Sequence, residues 1–120
     1  IITSGLAVKQ AEKLIRLRVI AHLTPGAIFI SDQIGVSKPN TKLFLRACEA
    51  IRLAPDETMH LGDHPAHDID PANAIGMASV LVRRGGKYEN ESSRTPPTHS
   101  IRSFTELLTL LSQQYKVPLP

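Results

Sequence analysis

Two carboxylates, Asp63 and Asp68, carry the strongest chemical signal in the sequence. They lie in Met59-His60-Leu61-Gly62-Asp63-His64-Pro65-Ala66-His67-Asp68-Ile69, where a short apolar run stops at Gly62-Asp63. The pattern reads as a buried strand, a tight turn and the first turn of a helix, which gathers both carboxylates where the strand ends. Ligands of open α/β sheets bind at the carboxyl ends of the strands. Hard cations such as Mg²⁺ take oxygen ligands, usually one or two carboxylates completed by water and substrate phosphate. The arrangement therefore predicts a magnesium–phosphate site with Asp63 as a metal ligand.

Other readings of the same stretch are weaker. His60, His64 and His67 with the two aspartates suggest a zinc site. Strand alternation, however, is expected to turn His60 away from the neighbours of Asp63, and a magnesium reading needs fewer coincidences. His64 is a candidate substrate contact. Arg83, Arg84 and Lys87 are read first as a solvated basic loop. Cys48 is read as a small core residue.

The elements that must position these groups alternate along the chain. Ile1 to Thr3 reads as a strand ending at Thr3-Ser4-Gly5. Val8, Ala11, Leu14, Ile15 and Val19 recur at helical spacing and predict a helix from about Ala7 to Val19. Ala27 to Ile30 reads as a second strand, closed by Ser31-Asp32. After the loop Gly35 to Asn40, Asn40 is the expected N-cap of a helix to about Leu53, with Leu43, Phe44, Ala47, Cys48 and Ile51 on one face. Thr58 to Leu61 is the third strand and Asp68 to Ile75 a short helix closed by Gly76. Ala78 to Val82 is the fourth strand, and residues 87 to 98 are an exposed loop. His99 to Arg102 is a last short strand, and Ser103 with Glu106 forms a capping box for a helix through about Leu111. Strands alternating with helices imply an α/β fold: a three-layer, Rossmann-like, mostly parallel sheet with helices on both faces. The expected division is a core over residues 1–112 and a tail over 113–120.

Bulk properties narrow the classes. The 120 residues suffice for one domain with a real core. A net charge of +3 is too mild to argue for nucleic acid, and no run reaches the length of a membrane span. With one cysteine there is no intrachain disulfide, which fits a reducing, cytoplasmic setting. The chain opens at Ile1-Ile2-Thr3, inside a strand, which suggests numbering that starts partway through a longer gene product.

With three strand ends carrying polar groups, the sequence resembles the haloacid dehalogenase-like (HAD) hydrolase superfamily. Ile1-Ile2-Thr3-Ser4-Gly5 is similar to its second motif and Val36-Ser37-Lys38-Pro39-Asn40 to its third. Gly62-Asp63-His64-Pro65-Ala66-His67-Asp68-Ile69 is similar to its fourth. Ala72-Asn73-Ala74-Ile75-Gly76-Met77, Val80-Leu81-Val82 and Arg84-Gly85-Gly86 continue the likeness to phosphatase-type members. The resemblance implies an incomplete HAD-like core and a set of roles. Thr3 would donate its hydroxyl to a phosphoryl oxygen, with Ser4 and the backbone at Gly5 as further substrate contacts. Lys38 would neutralise charge on the phosphate and the nucleophile. Asp63 would bind Mg²⁺, and Asp68 would be a second or water-mediated metal ligand that orients the site. Pro71 and Ile75 depart from the family pattern on the helix after the metal loop and concern packing rather than chemistry.

One departure concerns the reaction itself. The family attacks phosphorus with the first Asp of an Asp-x-Asp motif, forming an aspartyl phosphate that water hydrolyses. Asp68-Ile69-Asp70 has the letters but begins a helix, and Asp68 already has a role. The nucleophile, and any cap domain that sets specificity, is expected upstream of Ile1, on a strand between those ending at Thr3 and Asp63. The 120 residues alone are expected to be inactive and to leave unpaired edges, completed by the missing N-terminal segment or a second chain. The implied function is Mg²⁺-dependent hydrolysis of a small phosphorylated metabolite, with no nucleic-acid or membrane partner. A dehalogenase-type hydrolase is the first alternative, disfavoured by the paired aspartates. A non-catalytic HAD-like binding fragment is the second.

Overall fold

The computed structural model describes residues 1–119, so the end of the 113–120 tail, Pro120, lies outside the described residues. Among the described residues there are five short strands and five α-helices, mostly alternating. They are β1 (Ile2–Thr3), α1 (Ala7–Arg16), β2 (Phe29–Ile30), α2 (Ser31–Ile34) and α3 (Thr41–Ile51). Then come β3 (Met59–Gly62), α4 (Asp70–Ala74), β4 (Ala78–Val82), β5 (His99–Ile101) and α5 (Phe104–Tyr115). A π-helical turn, Pro65–Ile69, precedes α4.

Every strand pairing is parallel, as the alternation predicted, but the strands form two sheets. β1 pairs with β2, and β3, β4 and β5 form a three-stranded sheet with β4 in the middle. β4 reads Ala-Ser-Val-Leu-Val and buries Ser79, Val80 and Leu81, as a strand covered on both faces must. The buried Ser79 hydroxyl is satisfied by donating to Asn73 Oδ1 at 2.6 Å. Between the β1 and β3 edges lies an apolar cleft of about 410 Å³, lined by Ile2, Phe29, Ile51, Met59, Leu61 and Met77 among others.

α3 carries the main core. Asn40 caps it by accepting the Lys42 N–H at 3.0 Å, and Leu43 and Phe44 are fully buried beside Cys48, Ala72 and Met77. The helix stops at Ile51, short of Leu53, because Arg52 turns left-handed at φ 58°. Ile51 faces the cleft and is exposed rather than core.

α1 differs more from expectation. It ends at Arg16 rather than near Val19, and Arg18 is left-handed at φ 53°. Of its apolar stripe only Leu14 is buried; Val8 and Ile15 are 72% and 63% exposed, because no described element covers that face. The one-turn α2 is a feature that Ser31-Asp32 did not announce. It forms where Ser31 accepts the Gly5 N–H at 3.0 Å and Asp32 accepts the Ala7 N–H at 3.0 Å, tying the β1–α1 turn to the end of β2.

At the far end, Ser103 accepts the Glu106 N–H, whereas the Glu106 carboxylate reaches the Arg102 N–H instead of that of Ser103. α5 then runs to Tyr115, across the expected 112/113 boundary. No helix among the described residues is long and apolar enough to cross a membrane.

Candidate functional site

The turn after β3 is built around Gly62. A Cβ there would lie 2.2 Å from Asp68 Cγ, so only glycine leaves room for the Asp68 side chain to fold back over the strand end. Pro65 starts the π-helical turn, and the Asp68 N–H donates to the His64 carbonyl at 2.8 Å. The Asp68 carboxylate closes the loop in return, its Oδ2 accepting the His64 N–H at 3.1 Å. The helical region therefore begins at Pro65, earlier than the expected Asp68, because the proline and the carboxylate together fix that turn.

Asp68 is 2% exposed, so its charge requires partners. Lys38 Nζ lies 2.6 Å from Oδ1 and His60 Nε2 lies 3.1 Å from the same oxygen. Burial by itself pushes the carboxyl up, but the hydrogen bond from His60 and the charge and hydrogen bond of Lys38 outweigh it and hold the group at about 2. Asp68 is therefore an anion that fixes the Lys38 ammonium near the carboxyl end of the sheet.

Lys38 also joins the two sheets. Its backbone N–H donates to Ser4 Oγ at 3.3 Å, linking the end of β1 to the loop before α3. That interaction leaves the Ser4 hydroxyl proton free to donate. The Thr3 hydroxyl instead donates to Gln10 Oε1 at 3.1 Å, and the Gly5 N–H is taken by Ser31. Ser4, Lys38 and Asp68 thus come together through direct contacts, while Thr3 and Gly5 sit at the same strand end with their donors occupied.

Asp63 is exposed, and its carboxylate accepts no hydrogen bond among the described residues. A Cβ on Gly86 would lie 3.8 Å from its Oδ2, so the loop after β4 borders it. A free carboxylate at a strand end fits Mg²⁺, which takes few protein ligands. Asp68 has both oxygens committed and fits the orienting role better than direct ligation. Among the described residues no group of three or more His, Cys, Asp or Glu stands together to hold a metal.

His60 is the residue that sequence reasoning missed. It is buried, with Phe44 edge-on to its ring at 4.9 Å. The signal was available: His60 and Gly62 share a strand face, and a side chain folding over Gly62 meets His60. His64 and His67 belong to a ring stack in which His64 lies between His67, at 4.0 Å, and Tyr88, at 4.1 Å. Burial first, and then the charges of His64 and Lys38, lower the pKa of His67.

The chain is similar to known proteins over most of its length. The chain is 42% identical over 118 residues to the glyceraldehyde 3-phosphate phosphatase of Methanopyrus kandleri, covering 96% of this chain and 49% of that protein. It is 33% identical over 90 residues to the phosphoserine phosphatase of Thermus thermophilus, covering 75% of this chain and 35% of that one. The chain thus spans about half the length, or less, of the curated relatives it matches. Among solved structures, a HAD phosphatase from Thermococcus onnurineus aligns over 89% of this chain and 46% of its own, with TM-score 0.74 and 25% identity. The HAD-hydrolase YfnB from Bacillus subtilis, described as bound to magnesium, aligns over 92% of this chain and 47% of its own. Its TM-score is 0.78 at 24% identity, a likeness of fold. Residues 35–107, which run from the loop carrying Lys38 through the Asp63–Asp68 turn and β5, match the HAD-hydrolase-like family, and this chain belongs to it.

Proposed function

We propose that this chain supplies the phosphate-neutralising and metal-binding part of a phosphomonoester hydrolase. The observation that carries the reading is the buried Asp68, which pins Lys38 while Lys38 in turn meets Ser4. A phosphoryl group set between Ser4 and Lys38 would meet a hydroxyl donor on one side and a fixed ammonium on the other. Such preorganised charge does most of the work in phosphoryl transfer. Thr3 joins as a second donor if its hydroxyl turns from Gln10. Asp63 is the residue that would hold Mg²⁺, which when bound would offset the phosphate dianion against the surrounding carboxylates.

In this reading the attacking carboxylate, and with it the aspartyl phosphate, comes from a segment outside these residues. The cleft between β1 and β3 and the half-length match to relatives support that placement. The substrate class is a small phosphorylated metabolite, since relatives are named for glyceraldehyde 3-phosphate and phosphoserine. A cytoplasmic setting fits the single, buried Cys48.

The test is phosphate release by the full-length protein from glyceraldehyde 3-phosphate, then phosphoserine, with and without Mg²⁺. Turnover that needs both Mg²⁺ and Asp63 supports the reading. Metal-independent halide release from a 2-haloacid, with no phosphate released, overturns it.

A further inference from the structure

Asp63 has no hydrogen bond of its own to aim it, so its direction rests on the backbone of the β3 turn and on what walls it in. Asp68 holds the turn backbone by accepting the His64 N–H, and the loop after β4 supplies the wall. The Arg83 guanidinium donates to the carbonyls of Tyr88 at 2.7 Å, Glu89 at 2.6 Å and Glu91, so one side chain gathers the first part of the loop. The Gly85 N–H donates to Glu89 Oε2 at 2.9 Å, and Gly86 borders the Asp63 carboxylate. Tyr88, held at the far side of this loop, lies with its ring 4.1 Å from that of His64, whose other face is covered by His67. Both faces of the His64 ring are therefore covered by other rings.

We propose that Tyr88 is a positioning residue for Asp63. Its ring presses His64 against His67 and so, beside the Asp68 hydrogen bond to the His64 N–H, steadies the Asp63–His64 peptide and holds the carboxylate outward beside Gly86, directed at a divalent cation. The inference rests on the reading of Asp63 as a metal ligand and adds the residue that aims it. It depends on the ring, because the Tyr88 hydroxyl makes no hydrogen bond among the described residues.

The experiment is Mn²⁺ binding to the full-length protein without substrate, followed by electron paramagnetic resonance. Tyr88→Leu is expected to weaken binding about tenfold, the range seen when residues supporting a metal ligand are lost, with the melting temperature kept. Tyr88→Phe is expected to bind as the wild type does. His64→Leu removes the other half of the stack and should weaken binding similarly, and the double variant should be no weaker than either single one. Unchanged binding by Tyr88→Leu, or additive losses in the double variant, overturns the proposal. If Tyr88→Leu does not fold, wild-type binding by His64→Leu overturns it. A wild-type protein that binds no Mn²⁺ overturns the metal reading itself, which is a distinguishable result.

Discussion

The two sheets of this molecule carry the two sides of one candidate site but are finished to very different degrees. The β3-β4-β5 sheet pairs its strands over four and three residues, buries Val80 and Ile101, and packs the β3 turn so tightly that Gly62 has no alternative. The β1-β2 sheet pairs only Ile2 with Phe29 and Thr3 with Ile30, and its helix α1 buries one side chain. Where α3 and the β3 turn meet, the charged groups are locked; where β1 ends, Thr3 and Gly5 spend their donors on neighbours within the chain. The charge-handling side of the site is thus held by contacts within these residues. The β1 side borders the open cleft, and the apolar face of α1 is uncovered among the described residues.

The largest expected effect that would test this contrast is in the core. Phe44→Ala should cost about 3–5 kcal/mol in denaturant unfolding, as for buried aromatic truncations generally. A cost near zero would break the comparison at its firm end. Next is Lys38→Ala in the full-length protein, which should lower kcat about 10²–10³-fold, the loss typical of a preorganised charge-stabilising group. A change confined to KM would reassign Lys38 to substrate capture.

Acid should unlock the same region. The Asp68 carboxyl sits at about 2 in the folded protein against an ordinary 3.8, so it adds stability above pH 3.8 that is lost as pH falls toward 2. The contribution is on the order of 2 kcal/mol, and Asp68→Asn should flatten that limb of a stability–pH curve. The smallest effect belongs to α1. Ile15→Ser in the 120-residue chain should change stability by no more than about 0.5 kcal/mol. A larger loss there would mean that the exposed face of α1 is packed in solution.

Much of this was legible in the sequence. The parallel α/β pattern, β4 to the residue and the Asn40 cap all follow from local signals whose partners are near, whereas the ion pair of Lys38 with Asp68 came only with the structure. What escaped depended on tertiary partners. α1 has a clean helical period, but periodicity reports an apolar face and not whether anything covers it, so Val8 and Ile15 were misplaced. α2 exists because Ser31 and Asp32 answer amides on a distant turn, 25 and 26 residues away. His60 was set aside by strand alternation applied to Asp63, whereas its partner is Asp68, which reaches back over Gly62.

The most direct test of the account is hydrolysis by the 120-residue chain on its own, measured beside the full-length protein with Mg²⁺ and a small phosphomonoester. Turnover by the full-length protein and none above background by the 120 residues is expected, because the proposed attacking carboxylate comes from a segment outside them. Hydrolysis by the 120 residues alone that needs Mg²⁺ and is abolished by Lys38→Ala would contradict it, since the nucleophile would then have to lie within this chain.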